Sequence, residues 1–296
     1  MIGFVGLGNM GGPMAARLIE AGHDLCVFDV APAARERFAG SAALAATVTA
    51  VSTADTVLLM LPDSAVVEGV LLGDGLLDRL GPGTLLVDMS SSDPGRTRAL
   101  AGTAAERGVT LVDAPVSGGV AGARAGTLTI MVGGPPDAYA ALRPLFDVLG
   151  SRVVHAGAVV GAGHAIKALN NLMSAAHLMV ASEALLAGRA FGLDPRVMLD
   201  IVNASSGRSG STETKWPRFV LPGTYDSGFG LRLMLKDMGI ALGLQEATGT
   251  PAAVSAAALA AWAAAAEALP PDADHTEVAA WLMARTKTDE QGSGTC

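Results

Sequence analysis

The amino-acid sequence predicts an α/β doubly wound N-terminal domain followed by an all-α C-terminal domain. Two observations carry this prediction. Through the first half of the chain, short apolar or β-branched runs alternate with segments of helical composition, as expected for a mostly parallel sheet with helices on both faces. After about Gly161 the strand-like runs stop, and Ala-, Leu- and Met-rich helical patterns continue to Arg285.

Six runs are predicted as strands and the segments between them as helices. In chain order the strand candidates are IGFVG, LCVFDV, TVLLML, TLLVDM, VTLVDAPV and LTIMVGG. Met10 to Glu20 and Pro94 to Arg107 are predicted as helices. The predicted domain boundaries are 1–161 for the sheet domain, 162–190 for a long interdomain helix, 191–285 for the helical domain and 286–296 for a disordered tail without apolar anchors.

The composition argues against several classes of partner and location. The 296 residues carry a formal net charge of −8 without long runs of one sign, so binding to nucleic acid or to an anionic membrane is not expected. Neither of the two cysteines, Cys26 and Cys296, indicates a disulfide framework, and no metal-ligand cluster is predicted. The first strand begins at Ile2, which leaves no room for a signal peptide, and the long run from Ala252 is alanine-rich helix rather than a membrane span. A cytoplasmic location is therefore expected.

The first predicted strand leads into a glycine pattern that is typical of a phosphate-binding turn. Gly6, Gly8 and Gly11 have G-x-G-x-x-G spacing directly after a strand and directly before a helix. Gly6 permits a tight turn, Gly8 lets a pyrophosphate approach the backbone, and Gly11 lets the helix close on the strand. The sequence therefore predicts a Rossmann-type dinucleotide-binding domain.

An acidic residue at the end of the second strand bears on the choice of dinucleotide. Asp29 lies at about the distance where a carboxylate hydrogen-bonds the ribose 2′-hydroxyl, and the same carboxylate would repel a 2′-phosphate. NAD is therefore predicted in preference to NADP, unless a nearby arginine compensates. Arg35 is the nearest candidate and is interpreted as a solvated helix arginine.

A polar stripe interrupts the apolar helix that begins near Gly161. His164, Lys167, Asn170, Asn171 and Ser174 fall within about a third of the helix circumference. Such a stripe faces water on most amphipathic helices, but uncharged amides beside one lysine favour a partly enclosed cleft. His164, at the helix start, is expected to cap the helix or to face solvent and is not assigned a catalytic role.

A second stretch is predicted to supply another wall of that cleft. Ser117, Gly118 and Gly119 follow the strand that ends at Val116, in the kind of loop where open α/β sheets hold ligands. Glycine amides and a serine hydroxyl can wrap a carboxylate, although an ordinary glycine-rich turn is the alternative.

The motifs together resemble those of the β-hydroxyacid dehydrogenase family. The resemblance runs over nearly the whole chain, from GFVGLGNMGGPMAARL through DAPVSGGV and GAGHAIKALNN to SSGRS and FGLRLMLKDMGIAL. It implies that Lys167 is the catalytic lysine and that the substrate is held by Ser117, Gly118, Gly119 and Asn171. The cofactor-binding positions are then Gly6, Leu7, Gly8, Asn9, Met10, Gly11, Asp29, Leu61, Pro62, Ser91 and Lys236.

The resemblance implies an NAD(P)-dependent oxidoreductase that interconverts a 3-hydroxy acid, such as 3-hydroxyisobutyrate, with its semialdehyde or 3-oxo acid. We expect the active site in the cleft between the domains, with Lys167 as general acid and base. The family commonly forms homodimers or homotetramers. One alternative is an imine reductase on the same fold, which Lys167 disfavours. Another is a non-catalytic NAD-binding protein.

The chain departs from the family pattern after SSGRS. Members that oxidise 3-hydroxyisobutyrate typically have a bulky aromatic residue next, whereas this chain has Gly210. A larger substrate is then expected, unless Trp216 swings in to replace the missing wall. 3-Hydroxyisobutyrate, L-serine, hydroxymethyl dicarboxylates and other 3-hydroxy acids all remain open. Arg208 is assigned either to the substrate or to the helix connection.

Overall fold

A computed structural model describes residues 1–292, with side chains described for residues 1–285. The chain forms two compact units, Met1–Lys167 and Ala168–Cys296. The boundary between the units falls within one continuous helix, which the sequence analysis treated as a separate connecting element.

The first unit contains a sheet of nine strands. They are β1 (Ile2–Val5), β2 (Leu25–Phe28), β3 (Ala43–Leu44), β4 (Thr56–Leu59), β5 (Leu85–Asp88), β6 (Thr110–Asp113), β7 (Val116–Ser117), β8 (Thr129–Gly133) and β9 (Arg152–Gly157). Their order is β3-β2-β1-β4-β5-β6-β8-β7, and β9 also pairs with β8. The first six strands in this order are parallel, as in dinucleotide-binding folds, which confirms the predicted fold class.

Helices cover both faces of this sheet. They are α1 (Gly11–Glu20), α2 (Pro32–Glu36), α3 (Ser64–Glu68), α4 (Pro94–Ala105), α5 (Gly119–Ala125) and α6 (Pro136–Leu149). Successive strand side chains enter different apolar clusters, since Leu58 packs with Met14 and Phe146 whereas Leu59 packs with Leu100. The two clusters are therefore the cores on opposite faces of the sheet.

The sequence analysis did not predict all nine strands. It missed β3, an exposed pair of residues, and β9, whose side chains alternate between exposed and more buried positions. It also merged β6 and β7 into one run, although both strands pair antiparallel with β8. Short edge strands bury too few side chains to produce a strong apolar pattern, so periodicity does not detect them.

The second unit is helical. After α7 (Ala162–Ala190), which begins in the first unit, come α8 (Pro195–Asn203), a π-helical segment (Ser211–Val220), α9 (Leu231–Ala247), α10 (Ala253–Ala268) and α11 (Glu277–Gly292). Its core is built around Trp216, Met238 and Trp262. Among the described residues, no helix has both the length and the apolar character needed to cross a membrane.

The predicted disordered tail, 286–296, differs from the structure in its first part. Helix α11 is assigned as far as Gly292, whereas the sequence analysis predicted disorder from residue 286. Residues 293–296 lie outside the described part of the chain.

Candidate active site

The glycine turn after β1 has the geometry that its spacing predicts. Gly6 adopts φ +96°, and a Cβ there would overlap the carbonyl oxygen of Met60. A Cβ on Gly11 would overlap the carbonyl oxygen of Gly6, so this glycine is what allows α1 to approach the strand. At Gly8, by contrast, a Cβ would meet no atom within 4 Å. The turn thus combines two close backbone approaches with open space where a pyrophosphate would lie.

Backbone amides hold the carboxylate of Asp29 beside this turn. The amide of Leu7 donates to Oδ2 at 2.7 Å and that of Ala31 donates to Oδ1 at 2.8 Å. The start of α1 has Met10 as its N-cap residue and no side-chain capping bond, so its amides face the turn without a side-chain acceptor.

Arg35 is half-exposed, and its side chain also makes contacts that the interpretation as a solvated arginine did not include. Its guanidinium donates to the carbonyl oxygen of Ala45 at 3.1 Å and lies 5.5 Å from the ring centroid of Phe28. The side chain therefore fastens the loop after β3. Arg37, which the sequence analysis did not consider, donates instead to the carbonyl oxygen of Leu7 in the glycine turn.

The loops after β4 and β5 are joined near the same edge of the sheet. The amide of Leu61 donates to the hydroxyl of the fully buried Ser90 at 2.9 Å. Pro62 and Ser91 follow in the two loops, Pro62 exposed and Ser91 half-buried. These positions lie beyond the carboxyl ends of parallel strands, where open α/β sheets bind ligands.

A buried polar cluster supports the first turn of α7. Asp113, at the end of β6, accepts hydrogen bonds from the amide of Gly161 at 2.6 Å and from the amide of His164 at 2.8 Å. The His164 side chain is 1% exposed, and its Nδ1 lies 3.0 Å from the hydroxyl of Thr97. The expectation that His164 caps the helix or faces solvent is therefore wrong, since Asp113 supplies the cap from another strand.

The same network indicates the tautomer of His164. Thr97 donates its hydroxyl proton to the carbonyl oxygen of Asp93 at 2.9 Å, so its oxygen accepts from Nδ1–H of His164. The Nε2 atom then lies 3.8 Å from Asp88 Oδ2, beyond hydrogen-bond distance. Burial raises the pKa of Asp113, while the nearby His164 and the two backbone donors oppose that rise.

Lys167 and Asn171 lie one helical turn apart on α7, and both are buried. Lys167 is 7% exposed and Asn171 is 5% exposed, so a water-facing stripe is excluded for these two positions. Asn171 donates from Nδ2 to Oδ2 of the buried Asp237 at 2.6 Å. The other oxygen of Asp237 lies 3.3 Å from Nζ of Lys236. Asp237 thereby orients the Asn171 amide and links it to Lys236.

The loop that carries Ser117 has a backbone that requires glycine. Gly118 and Gly119 adopt φ values of +131° and +62°, a region that side chains disfavour. Ser117 is half-buried on β7, and α5 begins at Gly119 without a side-chain cap. Asp113 lies four residues before Ser117 in the chain, and its carboxylate binds the start of α7. Asp113 therefore connects the segment that leads to the Ser117 loop with the helix that carries Lys167.

The segment around Gly210 is open. A Cβ on Gly210 would meet no atom within 4 Å, and Trp216 does not replace the missing wall. Trp216 is 2% exposed, in the helical core, where Nε1 donates to the hydroxyl of Ser182 at 3.2 Å. Arg208 is exposed, and the connection is instead fastened by Ser209 and Thr212, which exchange side-chain to backbone hydrogen bonds.

The sequences of both units match known protein families. Residues 1–157 match the NAD-binding domain of 6-phosphogluconate dehydrogenase, and residues 161–282 match a family described as NAD-binding of NADP-dependent 3-hydroxyisobutyrate dehydrogenase. The NAD-dependent L-serine dehydrogenase of Pseudomonas aeruginosa is 42% identical over 267 residues, which cover 87% of this chain and 89% of that protein. The chain belongs to the β-hydroxyacid dehydrogenase family.

Further similarities agree with this assignment of the chain to the β-hydroxyacid dehydrogenases. The 2-(hydroxymethyl)glutarate dehydrogenase of Eubacterium barkeri is 41% identical over 244 residues, covering 81% of each chain. A structure of 3-hydroxyisobutyrate dehydrogenase from Mycobacterium tuberculosis with L-serine has a TM-score of 0.88 and 34% identity, covering 95% of this chain and 98% of that one. A Streptomyces aurantiacus imine reductase has a TM-score of 0.62 and 24% identity, covering 95% and 99%, and shares only the fold.

The β-hydroxyacid dehydrogenases are nicotinamide-dependent oxidoreductases, and the turn around Gly6, Gly8 and Gly11 fits a dinucleotide. The sequence analysis of this dehydrogenase missed Asp113 and Asp237, and it placed His164 in the polar stripe without predicting its burial. Asp237 had a detectable signal, because it shares a helical face with the buried Met234, Met238 and Ala241. Asp113 had none, since its partners Gly161 and His164 lie 48 and 51 positions away.

Proposed function

We propose that this β-hydroxyacid dehydrogenase interconverts a small 3-hydroxy acid and its semialdehyde or 3-oxo acid, with Lys167 as general acid and base. The burial of Lys167 on the same helix face as Asn171 carries this proposal. An ammonium group loses much hydration when it is buried, so such a lysine is typical of a site that uses its charge or its proton.

The residues of this chain have distinct proposed roles. Lys167 accepts the hydroxyl proton during oxidation and returns a proton to the oxygen during reduction. Asn171, oriented by Asp237, donates its remaining amide hydrogen to the substrate. Ser117, Gly118 and Gly119 bind the carboxylate. The bound nicotinamide supplies the hydride chemistry.

The named relatives suggest the common core of the substrate. L-Serine, 2-(hydroxymethyl)glutarate and 3-hydroxyisobutyrate, the compounds in their names, are all 3-hydroxypropionates with a substituent on C2. We propose the same core for the substrate of this chain. The open space at Gly210 supports a substituent larger than a methyl group.

We further propose that NAD is preferred over NADP. Backbone hydrogen bonds to both oxygens hold the Asp29 carboxylate beside the glycine turn, and a carboxylate at this position would repel a 2′-phosphate. Further positions complete the proposed cofactor-binding set: Leu7, Asn9 and Met10 in the glycine turn, and Leu61, Pro62, Ser91 and Lys236.

We also propose a homodimer or homotetramer. Ile166, Met173 and Val180 recur every seven residues on α7 and are 43%, 51% and 59% exposed, which makes an apolar stripe suited to a second copy. Light scattering of Met173→Glu and Val180→Glu variants tests this assembly. Each variant should have a smaller mass in solution than the wild type. A cytoplasmic location stays a prediction.

The test of the proposed reaction is Lys167→Met. NAD reduction with 3-hydroxyisobutyrate, L-serine and 2-(hydroxymethyl)glutarate should fall by about 100-fold or more, because the proton acceptor is lost. Calorimetric titration with NAD should give an unchanged Kd, which controls for folding. Turnover within about threefold of the wild type would remove Lys167 from the mechanism.

A further inference from the structure

The charge of Lys215, in the helical unit, is only partly offset by the groups around it. Lys215, in the π-helical segment, donates from Nζ to the hydroxyl of Ser174 at 2.7 Å. No ion pair joins Lys215 to a carboxylate among the residues that the structure describes. An ammonium has three donor hydrogens, and removal from water lowers the pKa of Lys215 to about 8. Near pH 7 Lys215 is thus charged at a position where the loss of water destabilises the charged form.

Asp274, whose charge acts on Lys215, forms no ion pair with it. The carboxylate oxygens of Asp274 are occupied by donors from its own loop and from the loop before α9. Those donors are Ser227, Gly228, Phe229 and Thr276. The adjacent His275 has its pKa lowered to about 4, mainly by burial and also by Lys215, so it is neutral near pH 7. An anion from solution could therefore bind the Lys215 ammonium, because no carboxylate of the described residues forms an ion pair with it.

The position of Ser174 relates this cation to the proposed active site. Ser174 follows Lys167 by seven residues on α7, so the two side chains point within roughly 20° of each other and lie about 10.5 Å apart along the axis. Asn171 lies between them on the same face. A substrate whose hydroxyl group lies at Lys167 would therefore need a substituent several carbon atoms long to place a second carboxylate at Ser174.

We propose that Lys215 and Ser174 bind a second carboxylate of the substrate, which makes this enzyme selective for hydroxymethyl dicarboxylic acids. The inference rests on the proposed function, because it places the reacting carbinol at Lys167. Gly210, at the start of the same π-helical segment, leaves the volume that the longer substituent needs. Lys215 is thus a specificity-determining residue.

Steady-state kinetics with NAD tests the selectivity. The wild type should use 2-(hydroxymethyl)glutarate with a kcat/KM at least about tenfold above that for L-serine or 3-hydroxyisobutyrate. Lys215→Met should raise the KM for the dicarboxylate about tenfold or more, while leaving kcat/KM for both monocarboxylates within about threefold. Lys215→Arg should restore part of the loss. Arg218→Gln removes an exposed cation from the same segment and should change nothing.

A binding measurement separates this proposal from the proposed reaction. 2-Methylglutarate and isobutyrate lack the hydroxyl group, so calorimetry with NAD present reports their binding without turnover. If the wild type oxidises no hydroxy acid but binds 2-methylglutarate in a Lys215-dependent way, the proposed reaction fails and the carboxylate site stands. Equal affinity for the two probes, or an equal effect of Lys215→Met on both, would overturn the carboxylate site.

Discussion

Oδ2 of Asp113 accepts a hydrogen bond from the backbone amide of His164 at 2.8 Å, which ties the end of β6 to the first turn of the helix that carries Lys167. Oδ1 of the same carboxylate binds the amide of Gly161. The glycines nearby make this contact close, since a Cβ on Gly133 or Gly163 would collide with the Asp113 carboxylate. One buried side chain thus positions both the helix and the loop that leads to Ser117.

Asp113→Ala should destabilise the first unit. The substitution leaves two buried amide donors without an acceptor, at a cost of about 1–3 kcal/mol for each donor. We expect urea unfolding to show a total loss of about 2–6 kcal/mol. Thr103→Ala, at a half-buried position of α4 where the hydroxyl bonds only to the helix backbone, is the control and should change stability by less than about 0.5 kcal/mol. A stable Asp113→Ala protein would contradict the capping role.

Asp237→Asn should affect catalysis more than folding. An asparagine at this position keeps the shape but loses the charge, so Asn171 is held less firmly and Lys236 loses its ion-pair partner. We expect kcat with the preferred hydroxy acid to fall roughly tenfold, with a change in Tm of only a few degrees. Unchanged kcat would show that the orientation of Asn171 does not depend on this carboxylate.

Asp29→Ser should change the cofactor preference. Removal of the carboxylate relieves the repulsion of a 2′-phosphate, and it also removes an acceptor for the ribose hydroxyls. The ratio of kcat/KM for NAD to that for NADP should therefore fall by about tenfold or more. A wild-type enzyme that already favours NADP would refute the assignment of Asp29.

Lys215→Met should stabilise the protein near neutral pH. The pKa of Lys215 is about 8 in the folded protein and 10.5 in the unfolded chain, so the unfolded state binds more protons between these values. The penalty for the charged lysine is complete below about pH 8 and is relieved as the pH rises towards 10.5. The stability advantage of Lys215→Met should therefore shrink over this window.

Urea unfolding of both proteins at pH 7 and pH 10 measures that advantage. His275, whose pKa is about 4, is already neutral across the window, whereas Lys215, with a pKa of about 8, titrates within it. A variant that is less stable than the wild type at pH 7 would indicate that Lys215 serves the fold rather than a ligand.

The sequence by itself determined the features that depend on neighbours along the chain. The spacing of Gly6, Gly8 and Gly11 predicts a turn in which the helix closes on its own strand, and the structure shows this local approach of Gly11 to the carbonyl oxygen of Gly6. The change from strand-like to helical periodicity likewise predicted the α/β and all-α parts, because each pattern arises within single elements.

Only the tertiary structure decided which polar residues are buried and what they contact. His164 and Asp113 are separated by 51 positions, and Asn171 and Asp237 by 66, so no local pattern reports either pair. Whether Lys215 is solvated or enclosed likewise depends on α7 and on the loop at Asp274. Burial and charge are properties of the assembled surroundings, which is why these contacts become visible only when distant segments are packed together.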